Sequence, residues 1–245
     1  MREPDHLFAD ADLAALYDRF CEGRGDFDFY LTHVMAAPSV LDIGCGTGAL
    51  LHLARERGHD GRLCGLDPAI GMLGQARRRG DIEWVLGTLT AARWNRAFDL
   101  AVMTGHAFQV LLDDAEIVAT FAAVRDALTD DGRFIFETRN PLVREWERWT
   151  PDRVGKVKDA NGSIVRLSRA VTAVEGDRVS FSHTFTSPAW DAPRKSNSTL
   201  RFLSAEALAR FLAEAGLAIE RQFGDWSGPP FVDSSPEIIT VARRA

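Results

Sequence analysis

The sequence predicts a three-layer α/β sandwich in which a mostly parallel, seven-stranded sheet carries helices on both faces and ends in an antiparallel hairpin. Three observations lead there. Apolar runs alternate with helical patterns from residue 39 to 136, the order that produces parallel strands joined by crossover helices. A glycine-rich turn at 44–48 separates the first buried run from the first crossover helix. The last two runs, 217–223 and 237–243, are joined by roughly a dozen residues rich in Gly, Pro and Ser. With no helix in that connection they pair as a hairpin, so one strand opposes the rest.

The elements follow in order. An N-terminal helix is predicted over 13–20, where Leu13, Leu16, Tyr17 and Phe20 share one face. Val40 to Ile43 form the first strand, and the helix after the turn stops at Gly58. A second strand at 62–66 ends at Asp67, Pro68 suits the first turn of the next helix, and Gly80 closes it. Strands at 82–86 and 98–103 follow. Asp113 or Asp114 then caps a helix over 115–128, and the turn Asp131-Gly132 leads into a fifth strand at 133–137. After Pro141 the rhythm changes to a short Trp-bearing helix and β-type segments at 163–174 and 178–187, with Asn161-Gly162 and 175–177 as turns. Residues 150–203 therefore read as an antiparallel β insertion, a lid or a dimer interface, within a single domain 1–245. A helix capped by Ser204 and stopped by Gly216 restores the α/β pattern before the terminal hairpin.

Composition narrows the function. At 46% hydrophobic and 26% charged, 245 residues bury a full core. Residues 1–12 are mixed and acidic, without the basic-then-apolar order of a secretory signal, and no apolar run reaches membrane-spanning length, so a cytoplasmic protein without a membrane partner is expected. Cys21, Cys45 and Cys64 form no CxxC pair and sit beside no histidine cluster, so reduced thiols and no metal are expected. A net charge of -6 disfavours a nucleic-acid partner, and the run Arg77-Arg78-Arg79 reads as a helix end that complements the dipole.

The turn carries the chemistry. Gly44, Gly46 and Gly48 let backbone approach a ligand, with amides facing it from the helix N-terminus. Gly44, Gly46 and Ala49 also satisfy the dinucleotide fingerprint, and Asp67 stands about twenty residues on, where a ribose acceptor is needed. Asp42, two residues before Gly44, favours a ligand bearing a cationic amine over a pyrophosphate.

The segment Val40-Leu41-Asp42-Ile43-Gly44-Cys45-Gly46-Thr47-Gly48, with the later strand ends and the final hairpin, resembles the class I S-adenosylmethionine-dependent methyltransferases of Rossmann-like fold. The resemblance covers about residues 10–140 and the hairpin. It implies S-adenosylmethionine as cofactor and S-adenosylhomocysteine as product. Gly44, Cys45, Gly46 and Gly48 would then lie against the methionine moiety, with Asp67 on the ribose hydroxyls. Pro68, Ala69 and Met72 would border the adenosine, Thr88 and Leu89 would lie by the adenine, and Tyr17 would reach the methionine end. The family commonly presents an acid to the adenine amino group, and here Thr88 stands in its place.

Met103, Thr104 and His106 leave the fourth strand at the carboxyl edge, where the methyl group is expected. His106 is either a general base or a loop hydrogen-bonding residue, and Arg139, with Asn140, either clamps the acceptor or ends the fifth strand with a salt bridge. Trp146, Trp149 and Trp190 either wall an acceptor pocket or fill core. Methyl transfer to N or O of a small molecule, by a monomer or homodimer, is the expected activity. A catalytically silent S-adenosylmethionine-binding module and an NAD-dependent oxidoreductase are the alternatives.

Overall fold

The computed structural model describes residues 3–245; residues 1 and 2 of the acidic segment 1–12 lie outside the described residues. The chain enters through α1 (His6–Ala9), α2 (Ala11–Phe20) and α3 (Asp26–Ala36) before β1 (Ser39–Ile43). The sequence signalled only α2, because α1 is a single turn and α3 mixes buried Tyr30, Leu31 and Val34 with charged neighbours. Beyond β1 come α4 (Ala49–Glu56), β2 (Arg62–Asp67), α5 (Ile70–Ala76), β3 (Glu83–Leu86), α6 (Leu89–Ala92), β4 (Phe98–Met103), α7 (Asp114–Ala127) and β5 (Leu128–Arg139).

Two expectations shift here. Pro68 lies outside α5: the Asp67 carboxylate accepts the Ala69 amide at 2.8 Å, holding Ala69 extended as the cap. The Asp131-Gly132 turn is a bulge inside β5, whose Leu128 already pairs with Phe98 before the register shifts to Leu100 and Arg133.

The insertion holds four strands where two were expected: β6 (Gly155–Lys158), β7 (Ile164–Glu175), β8 (Arg178–Thr186) and β9 (Arg194–Arg201), paired antiparallel in that order. β6 and β9 escaped because their alternation is polar. Buried Ser196 and Ser198 occupy the inward positions of β9 and bind the Leu7 amide and the Asp5 carboxylate. The chain closes with α8 (Ala205–Glu214), capped by Ser204 as expected, then β10 (Leu217–Phe223) and β11 (Glu237–Arg244).

The central sheet has the order β10-β11-β5-β4-β1-β2-β3, with β11 antiparallel to both its neighbours. One face packs Phe108, Phe121, Phe134 and Phe136 against α7 and α8, with neighbouring ring centroids 4.8 to 5.5 Å apart. The other face packs Tyr30, Leu50 and Leu51 from α3 and α4. Each such large side chain contributes about 1.5–3 kcal/mol by leaving water. The insertion sheet turns its inner face to the N-terminus: Val165 and Phe185 form one apolar cluster with Leu7, Leu13 and Leu16. At the other end of that face Trp146 and Trp149 pack on Phe181 and Phe202. No helix among the described residues is long and apolar enough to cross a membrane.

Candidate active site

The carboxyl ends of β1, β2 and β4 and the amino end of β11 meet at one edge of the sheet. The chain leaves β1 through three left-handed glycines, Gly44, Gly46 and Gly48. A cavity of about 390 Å³ lies between this turn, α2 and residues 21–28. It brings together Tyr17, Asp42, Gly44, Cys45, Gly46 and Thr104 of the predicted site.

Four of the turn's amides are engaged within the protein. Gly44 and Cys45 donate to Leu66 O, Gly46 donates to Asp67 Oδ2 at 2.8 Å, and Gly48 donates to Cys45 O. These four donors are therefore closed to a pyrophosphate. Gly48 also faces away from the cavity. A Cβ there would collide with the Trp84 ring, so its bareness serves packing.

Asp42 is the distinctive group. It is 1% exposed, lines the cavity, and its Oδ1 has no hydrogen-bond partner. Burial raises its pKa to about 7, against the opposing pull of Arg24. An unpartnered buried carboxylate is costly, and an ammonium in the cavity would relieve that cost. Arg24, on the same wall, is the complementary charge. Its guanidinium pairs with Asp26, lies 4.5 Å from the Phe27 centroid and covers Gly105. The helix α2 is tied to the turn by Thr47, whose hydroxyl donates to Asp18 at 2.5 Å. Neither Arg24 nor this tie was predicted; Arg24 sits in the polar, glycine-flanked segment 21–26, which carries no periodicity.

The other residues predicted to bind the cofactor do not line the cavity. Asp67 is buried by the Gly46 and Ala69 amides it accepts. Ala69 and Met72 pack with Ala14, Phe8 and Tyr17 across α2 and α5, and Pro68 joins Asp67 to them. Thr88, whose hydroxyl lies 3.2 Å from that of Thr90, follows β3 at the same edge, while Leu89 and Met103 point into the core.

At the end of β4, His106 has a left-handed backbone, φ 61°, a conformation that costs a non-glycine residue on the order of 1 kcal/mol. A buried carboxyl group holds it there: the His106 amide donates to Glu137 Oε1 at 2.7 Å. Glu137 is fully buried and also accepts the Tyr30 hydroxyl. The His106 ring meets Glu237 through Nε2, 3.0 and 3.1 Å from the two carboxylate oxygens. Burial lowers His106 to about 3, aided by the Arg139 charge, and raises Glu237 to about 8. Burial is the larger cause of both shifts, which favour a pair without net charge near neutrality.

Arg139 makes the salt bridge that was one of its two expected roles. It pairs with Glu145 at 2.7 Å, donates to Gln109 at 2.9 Å and lies 5.3 Å from the centre of the Trp149 ring. Asn140 caps the turn that follows, accepting the Leu142 amide. No group of three or more His, Cys, Asp or Glu residues among the described residues could hold a metal.

Residues 40–132 match the family model for a methyltransferase domain. Over 165 residues the chain is 37% identical to aklanonic acid methyltransferase DauC of Streptomyces sp. (strain C5), covering 56% of this chain and 72% of that protein. It is 26% identical to dTDP-3-amino-3,6-dideoxy-alpha-D-glucopyranose N,N-dimethyltransferase of Streptomyces fradiae, over 89% of this chain and 88% of that one. Two other relatives match over 50% and 35% of their own length. The crystal structure of an S-adenosylmethionine-dependent methyltransferase from Clostridium acetobutylicum ATCC 824 shares the fold, with a TM-score of 0.76 at 18% identity over 95% of this chain and 97% of that one. This chain belongs to the class I S-adenosylmethionine-dependent methyltransferases.

Proposed function

We propose that the chain binds S-adenosylmethionine between α2 and the glycine turn and transfers its methyl group to N or O of a small molecule. The acceptor would lie between the sheet edge, α2 and the insertion sheet, which serves as its lid. The observation that carries the reading is the unpartnered Asp42 carboxylate on the cavity wall, with the Arg24 guanidinium on the same wall. Together they suit the ammonium and carboxylate of an amino acid, and a dinucleotide offers neither.

When bound, the cofactor supplies an already activated methyl group for an in-line displacement, so the protein's share is alignment, exclusion of water and proton removal. Tyr17 and the turn would fix the donor, and Asp67 would take the ribose hydroxyls. His106 is suited to receive the acceptor's proton at Nδ1, because Nε2 is engaged by Glu237. The similarity, over 89% of this chain, to a dTDP-amino-sugar N,N-dimethyltransferase of Streptomyces fradiae supports a small-molecule acceptor.

Isothermal titration with S-adenosylhomocysteine, with NAD in parallel, tests this. Saturable binding of the first alone is expected, and binding of NAD alone would overturn it. Asp67→Ala is expected to weaken S-adenosylhomocysteine by on the order of 1–3 kcal/mol. Unchanged affinity would place the ribose elsewhere.

A further inference from the structure

The inner face of the insertion sheet is apolar at both ends and ionic in the middle. Along β8 the inward positions run Val179, Phe181, His183, Phe185, and the register partner of His183 on β7 is Arg169. Phe185 belongs to the cluster under α2, and Phe181 to the cluster around Trp149. Arg169 thus stands between two greasy patches, on the side of the sheet that faces α2.

Its surroundings are built. The Arg169 Nε–H donates to His183 Nε2 at 2.9 Å, and the guanidinium lies 4.8 Å from the Trp149 centroid and 5.3 Å from that of Phe181. His183 is 6% exposed, and its Nδ1 has no partner. Because Nε2 accepts from Arg169, Nδ1 bears the ring proton and is an unused donor. Burial, followed by the Arg169 charge, lowers His183 to about 3, so the ring stays neutral. Arg139 lies against the same Trp149 ring, but its charge is matched by Glu145. Among the described residues Arg169 has no carboxylate within ion-pair distance, although burial disfavours its charge. The guanidinium is thus partly withdrawn from water with no anion beside it, a cost that an anionic ligand would relieve.

Resting on the function proposed above, we infer that Arg169, oriented by His183 and Trp149, is the specificity residue of the acceptor site, and that the acceptor carries a carboxylate. Around Trp149 two guanidinium groups and one carboxylate leave room for a single negative charge. A carboxylate matches that charge and the planar fork of the guanidinium. A nucleoside diphosphate carries more charge than the site can neutralise, so the acceptor differs in this respect from the substrate that the Streptomyces fradiae relative's name specifies.

Phenylacetate serves as the probe, with phenylacetamide as its uncharged isostere and thymidine diphosphate as the polyanion, each titrated into the full chain saturated with S-adenosylhomocysteine. Phenylacetate is expected to bind at least tenfold more tightly than either of the others. Arg169→Met is expected to abolish that preference, and Arg169→Lys to keep part of it, while S-adenosylhomocysteine affinity stays within about twofold in both. Equal binding of phenylacetate and phenylacetamide to the unmodified protein would overturn the inference without relying on any variant. Tighter thymidine diphosphate binding that depends on Arg169 would overturn it as well. Failure of S-adenosylhomocysteine to bind the unmodified protein is a separate outcome, which sinks the cofactor assignment; the phenylacetate comparison repeated on the free protein then still decides the anion site.

Discussion

Replacing Asp42 by Asn is expected to weaken S-adenosylhomocysteine by about 3 kcal/mol, a hundredfold or more, while making the ligand-free protein more stable at pH 8. The two effects have one origin. The folded pKa of Asp42, about 7, stands above its ordinary 3.8, so its contribution to stability is fully present below pH 4 and is lost as pH rises through 7. At pH 8 the free protein therefore holds an ionised, unpartnered carboxylate that costs up to about 4 kcal/mol at roughly 1.4 kcal/mol per pKa unit. Asn removes that cost together with the partner of the ligand's ammonium. Affinity in the unmodified protein should fall about tenfold per pH unit below 7, where Asp42 must lose a proton to bind. In the variant this dependence should vanish. Thermal melting with and without S-adenosylhomocysteine at pH 6 and pH 8 checks both halves, and a ligand-induced shift that survives the substitution would remove Asp42 from the site.

His106→Ala is expected to lower turnover by about 10²–10³-fold with cofactor affinity nearly unchanged, the loss ordinarily seen when a positioned base is removed. The geometry adds a pH signature. With one proton on the His106–Glu237 pair, that proton sits on Nε2 facing the carboxylate, and Nδ1 offers a lone pair. With two protons, every arrangement that keeps the Nε2–Glu237 bond puts a hydrogen on Nδ1 or charges the ring. Turnover should therefore rise with pH through an apparent pKa near 8, a value belonging to the pair. Glu237→Gln should lower the rate and abolish that inflection. A flat profile in the unmodified enzyme, or full activity in His106→Ala, would leave the histidine with only its loop-holding role.

Much of this was legible in the sequence. Apolar runs bounded by glycine located the parallel strands, and Asp42 stood out because a carboxylate beside a glycine turn contradicts a phosphate ligand. What escaped depended on tertiary burial. The amides of the turn looked free, yet Leu66 and Asp67 take them, which only the register of β1 against β2 reveals. Arg24 is one arginine among many until the chain folds it over Gly105. Glu237 could have been found, since a terminal strand that runs antiparallel must begin at the edge where β4 and β5 end. Its register partner is Arg139. The polar inner face of the insertion defeats hydropathy, because Ser196, Ser198, His183 and Arg169 occupy positions where alternation expects apolar side chains.

The antiparallel strand also sets an order of assembly. The cavity is lined entirely by residues 17–104, whereas His106 and Glu237 are separated by 131 positions and meet only when β11 slots between β10 and β5. Closing so long a loop is entropically the later event, after the local βα units have formed. A chain caught before that closure would retain the residues that line the cavity and lack the His106–Glu237 pair. On the proposed function, the residues that would bind the donor are thus local in the chain, whereas the pair that would take the proton depends on two distant parts of it meeting.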